Sequence, residues 1–183
     1  MYNRSIIFFV LVLACLTACV RHDKKHVTGA VEDRAAMPVL DARDVTTLIS
    51  DSGITRYRIT AKSWQMYDKA NPPHWEFPEG IYLENFNQDL SVGAYLEADY
   101  AYYDQQAQIW RLDGNVRSRN QLGEKFETPQ LFWSQKEEKL YSDSAITITR
   151  ETSIIKGVGF ESNQEMTKYT IRKPSGIFPI KDE

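Results

Sequence analysis

The sequence predicts an all-β domain built from stacked antiparallel hairpins over residues 45–173. Between Val92 and Tyr102, an apolar or aromatic side chain occupies every second position, which is typical of a half-buried β-strand. Turn-forming clusters rich in glycine, proline, asparagine and aspartate separate this run from its neighbours. No window longer than about ten residues carries a convincing helical hydrophobic period. Together these observations favour an all-β fold.

The predicted strands follow one another between these turns. Tyr57, Ile59 and Ala61 alternate with polar residues and form the first clear strand after an N-terminal strand at residues 45–50. A single hairpin cannot bury its apolar face alone. The hairpins are therefore expected to stack and to leave the two terminal strands as open edges. Further strand-like runs cover residues 81–86, 92–102, 109–112, 116–119, 126–133, 140–148, 154–160 and 166–171.

Residues 1–18 have the features of a bacterial lipoprotein signal peptide. Arg4 supplies a positive charge, residues 6–14 are almost wholly apolar, and Leu16-Thr17-Ala18-Cys19 resembles a lipobox. We therefore expect cleavage before Cys19 and acylation of this cysteine, which would anchor the mature protein firmly in a membrane.

Two further segments flank the predicted domain. Residues 19–44 are rich in charge and show no sustained period, so they are expected to form the lipidated N-terminus and a flexible tether. Proline cannot donate a hydrogen bond to a strand ladder, so pairing is expected to stop by Pro174. Residues 174–183 are therefore expected to form a C-terminal tail.

The composition excludes several classes of function. The chain carries 22 Lys plus Arg against 25 Asp plus Glu, a net charge of -3, whereas nucleic-acid-binding domains normally show a basic excess. Cleavage before Cys19 would leave one cysteine, and that one acylated, so no intrachain disulfide is expected. His74 is the only histidine of the predicted domain, and no G-x-S-x-G motif accompanies it. We expect no enzymatic activity, no metal site and no cofactor.

Five degenerate motifs run through the predicted domain in order. They are 98–103 (ADYAYY), 112–116 (LDGNV), 128–133 (TPQLFW), 142–145 (SDSA) and 157–160 (GVGF). In order and spacing they resemble the LptC family, the periplasmic component of the lipopolysaccharide export machine. The resemblance implies an elongated, twisted, V-shaped β-jelly roll of the LptC/OstA type.

The resemblance also implies a transport function at the inner membrane. A family member receives lipopolysaccharide from the jelly roll of an ABC transporter permease, shelters its lipid A acyl chains, and passes it to a periplasmic bridge protein. Family members usually carry an uncleaved transmembrane helix, and this chain departs from them in its expected lipid anchor at Cys19. The alternative function is that of an outer-membrane structural or adhesive β-sandwich lipoprotein with a filled core. Because Val20 follows Cys19, the sequence leaves the choice of membrane open.

Two groups of residues are expected to carry the transport function. The apolar interior of the jelly roll would form a lipid trough, and the terminal strands would dock neighbouring jelly rolls. Candidates for the trough are Ile59, Val92, Ala94, Leu96, Ala98, Tyr100, Tyr102, Trp133, Ile146, Ile148 and Phe160. Candidates for the docking edges are Val45, Thr47 and Ile49 at the N-terminal end and Met166, Tyr169, Thr170 and Ile171 at the C-terminal end.

Overall fold

A computed structural model describes residues 35–177, and this part of the chain forms twelve β-strands joined in one antiparallel sheet. No helix within these residues is long and apolar enough to cross a membrane. The all-β, jelly-roll-like fold predicted from the sequence is confirmed. The strands are β1 (Leu40–Asp51), β2 (Ile54–Tyr67), β3 (His74–Phe77), β4 (Ile81–Phe86), β5 (Val92–Ala98), β6 (Tyr100–Asp104), β7 (Ile109–Arg119), β8 (Lys125–Ser134), β9 (Lys139–Thr149), β10 (Ile154–Asn163), β11 (Tyr169–Ile171) and β12 (Ser175–Ile177).

A crease crosses the four long strands β7 to β10. The pairing register shifts within residues 113–116 of β7, 127–132 of β8 and 158–160 of β10. Gly114 and Gly159 lie at these shifts with φ values of 76° and 81°, a left-handed conformation that glycine adopts without steric cost. Register shifts of this kind bend a strand. Because they occur at neighbouring positions, the sheet bends along one line.

The crease divides the sheet into two half-sheets, and β1 runs along the whole of β2. The first half-sheet contains β4, β5 and residues 54–61, 116–119, 125–128, 145–149 and 154–158 of the longer strands. The second half-sheet contains β3, β6 and residues 63–67, 109–113, 130–134, 139–142 and 160–163. β12 extends the first half-sheet and β11 extends the second.

The hydrophobic core lies between the two half-sheets. The ring of Phe126 in the first half-sheet lies 5.8 Å from that of Phe160 in the second and 5.4 Å from that of Tyr169. Removing this apolar surface from water stabilises the fold by about 25 cal/mol per Å². The buried apolar residues are Ile59, Ala61, Phe77, Ile81, Leu96, Ala98, Ala101, Trp110, Leu112, Val116, Phe126, Leu131, Leu140, Ile146, Ile148, Ile155, Phe160 and Met166.

The predicted single strand over residues 92–102 is in fact two strands. Asp99 interrupts it, and its amide donates a 3.0 Å hydrogen bond to β7 at the crease. The alternation changes phase there, because Ala101 is fully buried while the guanidinium of the exposed Arg111 lies over the rings of Tyr100 and Tyr102. The prediction that Tyr100 and Tyr102 face the interior is therefore wrong.

Strand pairing also extends beyond both predicted ends of the domain. β1 begins at Leu40 rather than Val45, and Leu40 pairs with Met66, so residues 40–44 belong to the sheet and not to a tether. β12 pairs with the start of β10, so pairing continues beyond Pro174 into the predicted tail. A neighbouring strand, which local sequence patterns do not reveal, decides how far a strand extends.

Candidate functional site

A cleft opens between the two half-sheets on the side of β4, β5 and the loop after β10. Its cavity has a volume of about 230 Å³. Leu83 of β4 pairs with Leu96 of β5 in the first half-sheet, and Trp133 of β8 pairs with Leu140 of β9 in the second. These four side chains line the interior of the cleft from opposite sides. Period-2 alternation on each strand therefore places apolar groups on both walls.

The open side of the cleft is polar. Gln121 and Glu165 are exposed there, and the Gln121 amide donates to Asn85 at 3.4 Å. Trp133, on the inner wall, donates its indole N–H to Gln164 at 3.1 Å. An apolar interior with a few polar groups at its mouth is the usual character of a site for an amphiphilic ligand. Tyr57 and Arg119 also line the cleft.

The loop between β10 and β11 closes one end of the cleft. The side-chain oxygen of Asn163 accepts hydrogen bonds from the amides of Thr167 and Lys168 at 3.0 and 2.9 Å, which holds the loop in a tight turn. Met166 has a φ of 54° at the tip of this turn, and its side chain is buried in the cleft. Ser118 donates to the Met166 sulfur at 3.2 Å. Met166 was predicted to lie on a docking edge, and this prediction is wrong because the Asn163 turn directs it inward.

Asn120, at the start of the turn after β7, joins that turn to the Met166 loop. Its side chain is buried, and its amide group donates to the Met166 carbonyl and to Glu124, each at 2.8 Å. Its side-chain oxygen accepts from the amides of Leu122 and Glu124 at 3.0 Å. A buried amide with all its partners present makes a rigid link. The end wall of the cleft is therefore fixed to the β7–β8 turn.

A charged cluster lies beside this end wall. Arg150 donates to a Glu124 carboxylate oxygen at 2.7 Å and to the Tyr169 hydroxyl at 3.0 Å. Burial raises the pKa of the Tyr169 phenol, and the hydrogen bond to Tyr169 raises the pKa of Arg150 further above its usual value. The phenol is thus neutral and Arg150 charged at neutral pH.

All four tryptophans of the chain belong to one aromatic cluster in the second half-sheet. Trp110 lies at its centre, 6.4 Å from Trp75 and 6.3 Å from Trp133 between ring centroids, and Trp64 lies 5.3 Å from Trp75. The indole N–H groups of Trp64 and Trp110 are buried without a hydrogen-bond partner within residues 35–177. Since Trp133 also lines the cleft, tryptophan fluorescence reports on the cleft as well as on unfolding.

The trough residues predicted from the sequence occupy four different environments. Ala94, Leu96 and Trp133 line the cleft. Val92, the first residue of β5, is half-buried. Tyr100 and Tyr102 lie on the outer face, as described above. The remaining five, Ile59, Ala98, Ile146, Ile148 and Phe160, are buried in the core.

Several cleft residues escaped the sequence analysis. Leu83 and Leu140 lie in predicted strands. They show the same apolar–polar alternation that marked the predicted trough residues. Met166 carried no usable signal because its local sequence resembles a strand. Asn120 lies in a turn, where its role depends on a distant loop.

The N-terminal edge of the sheet is long and exposes aliphatic side chains near its C-terminal end. β1 pairs only with β2 and leaves its other side without a strand neighbour in residues 35–177. Val45 and Thr47 are half-buried, whereas Ile49 exposes 43% and Leu48 exposes 59% of their surface. Unpaired backbone groups beside exposed apolar side chains are the features of an edge that accepts another strand.

The C-terminal edge is short. The Asn163 amide donates to the Lys168 carbonyl, and the Arg172 amide donates to the Gly159 carbonyl, at the two ends of the β10–β11 pairing. Because hydrogen-bonded positions alternate along an antiparallel pair, the amide of Thr170 is directed toward β10. The amides of Tyr169 and Ile171 therefore point away from the sheet. Thr170 is exposed, but its backbone donor is not available to a partner.

The contacts of His74 are those of a residue that supports the fold. Its ring stacks between Tyr67 and Tyr102 at 4.8 and 4.9 Å, and its Nδ1 lies 2.9 Å from the Pro72 carbonyl oxygen. No group of three or more potential metal ligands occurs within residues 35–177. Cys19 lies outside the described residues, so its acylation stays a prediction.

Comparison with known proteins identifies the family. The family model described as lipopolysaccharide-assembly, LptC-related, matches residues 6–173. A search of the curated proteins found no match. The family is periplasmic, associated with the inner membrane and acts in lipopolysaccharide transport rather than as an enzyme. With a match over most of its length and the fold described above, this chain belongs to the LptC family.

Proposed function

We propose that the cleft shelters acyl chains of lipopolysaccharide while the protein passes this lipid from an ABC transporter to the next jelly-roll protein. The observation that carries the proposal is the apolar cleft with a polar mouth, lined by Leu83, Leu96, Trp133 and Leu140. Each acyl methylene removed from water contributes about 0.8 kcal/mol. Sugars and phosphates of the lipid would stay at the polar mouth, in contact with water.

The size of the cleft limits how much lipid it holds. A cavity of about 150 Å³ admits benzene, so the 230 Å³ cleft has room for part of one acyl chain. Accommodating more chains requires the half-sheets to separate or the Met166 loop to move. A transient, shallow site suits a carrier, because a lipid bound too tightly would not be released.

Photo-crosslinking in cells tests this proposal. A photoreactive amino acid at Leu96 is expected to form adducts with lipopolysaccharide, because this side chain lies in the cleft. The matched controls are Glu97, which pairs with Arg117 on the outer face of the same strand, and Tyr102. Equal labelling at all three positions, or none at Leu96, would contradict the proposal; the second result would favour a β-sandwich with a filled core.

We propose that acylated Cys19 anchors the protein in the inner membrane. The lipobox-like sequence and the inner-membrane association of the family support this. In cells supplied with labelled palmitate, Cys19→Ala is expected to abolish incorporation, because the acylated thiol is gone. Cys15→Ala, four residues earlier in the apolar segment, is the matched control and should still be labelled. Retained labelling of Cys19→Ala would show that the anchor lies elsewhere.

The two open edges are proposed to dock the neighbouring jelly rolls, with β1 facing the transporter and β11 facing the bridge protein. Gly157→Val tests the β11 edge, since a Cβ at Gly157 would lie 2.2 Å from Ile171 Cγ2 and 2.9 Å from the Lys173 carbonyl oxygen. Displacing β11 removes the two outward amides of Tyr169 and Ile171. At about 1 kcal/mol per hydrogen bond, binding to the bridge protein should weaken roughly thirtyfold.

The control for this experiment is the adjacent exposed residue. Lys156→Val makes the same side chain on the outer face and should bind the bridge protein normally. Binding is measured by titration of the purified partner. Wild-type affinity in a folded Gly157→Val variant would rule out β11 as the docking edge.

A further inference from the structure

The cleft runs across the strands and ends at the loop between β10 and β11. Strands that are neighbours in the sheet contribute to its lining, from Tyr57 of β2 at one end to the loop after β10 at the other. The proposed path of the lipid, from the β1 edge to the β11 edge, has the same direction. Residues 164–168 form the Met166 loop and lead directly into β11, so this loop lies between the cleft and that edge.

The Met166 loop crosses from one half-sheet to the other. It leaves the second half-sheet at Asn163 and returns to it at Tyr169, whereas its tip contacts the end of the first half-sheet. At the tip, Ser118 donates to the Met166 sulfur and Asn120 donates to the Met166 carbonyl oxygen. The loop therefore closes the gap between the half-sheets at this end of the cleft.

Met166 is the one apolar residue of this loop. Its side chain exposes 5% of its surface and lines the cleft, whereas Glu165 and Lys168 are exposed. An unbranched thioether side chain is flexible and fills irregular apolar space much as an acyl chain does. Met166 therefore occupies space in the cleft that an acyl chain would fill.

The closed loop places the backbone of Met166 in an unfavourable conformation. Its φ of 54° lies in the left-handed region, which costs energy for a residue with a side chain. Burial of the thioether and the hydrogen bonds of the Asn163 turn offset this cost. An acyl chain in the place of Met166 would remove the burial and leave the strain. The lipid and the closed loop therefore compete for the same site.

We propose that Met166 is the plug of a gate at the β11 end of the cleft, and that an acyl chain opens the gate by displacing the Met166 side chain. This inference rests on the proposed function, because it requires acyl chains to enter the cleft. Opening breaks the contacts to Ser118 and Asn120 and leaves the core intact. The loop contains no strand or helix, and β11 pairs with β10 over three residues, so the movement is local. An open gate extends the cleft toward the edge that is proposed to dock the next jelly roll.

A fluorescent label on the loop tests the gate in the full chain. The protein is reconstituted in phospholipid nanodiscs with Cys15→Ser and Cys19→Ser, so that Glu165→Cys, labelled with bimane, carries its only thiol. In the closed form the label lies close to Trp133, whose indole N–H is bonded to the adjacent Gln164, and contact with an indole quenches bimane. Adding dodecanoic acid should release this quenching. In Trp133→Phe, which removes the quencher, the same addition should change nothing.

Substitutions of Met166 distinguish a plug from a fixed wall. Met166→Gly removes the plug and relieves the strain, so the label should be unquenched without lipid. Dodecanoic acid should then bind about tenfold more tightly, as expected if about a tenth of the wild-type molecules are open. Met166→Leu keeps an apolar side chain of similar size and is the matched control, which should behave as the wild type does. Ser118→Ala leaves the loop sequence intact and should lower the concentration for half-maximal release about twofold, because a weak hydrogen bond to sulfur is lost.

Three results would overturn the gate. The first is dodecanoic acid binding without release of quenching while Leu96 still forms adducts with lipopolysaccharide, which would make Met166 a fixed wall and leave the proposed function intact. The second is weaker binding by a folded Met166→Gly, or an unchanged half-maximal concentration in Ser118→Ala, with the same consequence. The third is the absence of both binding and Leu96 adducts in the wild type, which would remove the proposed function and the gate with it.

Discussion

Replacing Phe160 with alanine is expected to lower the free energy of unfolding by about 3–5 kcal/mol. Phe160 exposes 1% of its surface and packs between Phe126 and Tyr169, with ring centroids 5.8 Å from each. It lies next to the crease, where the two half-sheets meet. The surrounding strands therefore have little freedom to close the cavity that the truncation would leave. Urea unfolding followed by tryptophan fluorescence measures the loss.

Phe132 provides the matched control for this truncation. It is half-buried on the outer face, where it stacks on Tyr141 at 5.2 Å. Phe132→Ala should cost about 1 kcal/mol, the value of an aromatic pair with partial burial. If both alanine variants lost the same stability, Phe160 would not lie in the hydrophobic core described above.

Filling the cleft is expected to abolish most lipid binding while the domain stays folded. Ala94 lines the cleft opposite Asn85, so Ala94→Trp directs an indole into the space that an acyl chain would occupy. Excluding about four methylenes removes roughly 3 kcal/mol, which weakens lipopolysaccharide binding roughly a hundredfold. Displacement of a fluorescent fatty acid from the purified protein measures the affinity.

The control places the same side chain on the other face of β5. Glu97→Trp breaks an exposed salt bridge to Arg117, which contributes little to stability, and leaves the cleft empty. It should bind lipopolysaccharide as the wild type does. Wild-type affinity in Ala94→Trp, with a normal unfolding transition, would place the lipid outside the cleft.

Alternation of apolar and polar residues predicted most strands because each strand has one face in the core. It could not locate the phase change at Asp99. Tyr100, Ala101, Tyr102 and Tyr103 are all apolar or amphipathic, so either phase reads as a strand, and only the crease shows that Ala101 faces inward. A local pattern contains no information about where a sheet bends.

The cleft was harder to predict than the strands. Its walls come from strands that are far apart in the chain. In the sequence, Leu83 and Leu140 follow the same apolar–polar alternation as residues of the core, so the pattern does not distinguish them. Whether two facing side chains meet or leave a space depends on the distance between half-sheets, which no single strand encodes. The Met166 turn likewise requires the side chain of Asn163, whose hydrogen bonds are made only when the loop is formed.

The crease also determines how the domain can gain and lose its structure. β7, β8, β9 and β10 each contribute residues to both half-sheets, so neither half has a complete set of strands without the other. A partly unfolded species in which one half-sheet survives alone is therefore unstable, and folding is expected to be a single cooperative transition. Its pairings connect strands throughout the chain, and a topology of this kind folds slowly. Until β10 has paired with β9, the earlier hairpins expose unpaired strand edges. Aggregation is therefore most probable in the interval between translocation and the completion of folding.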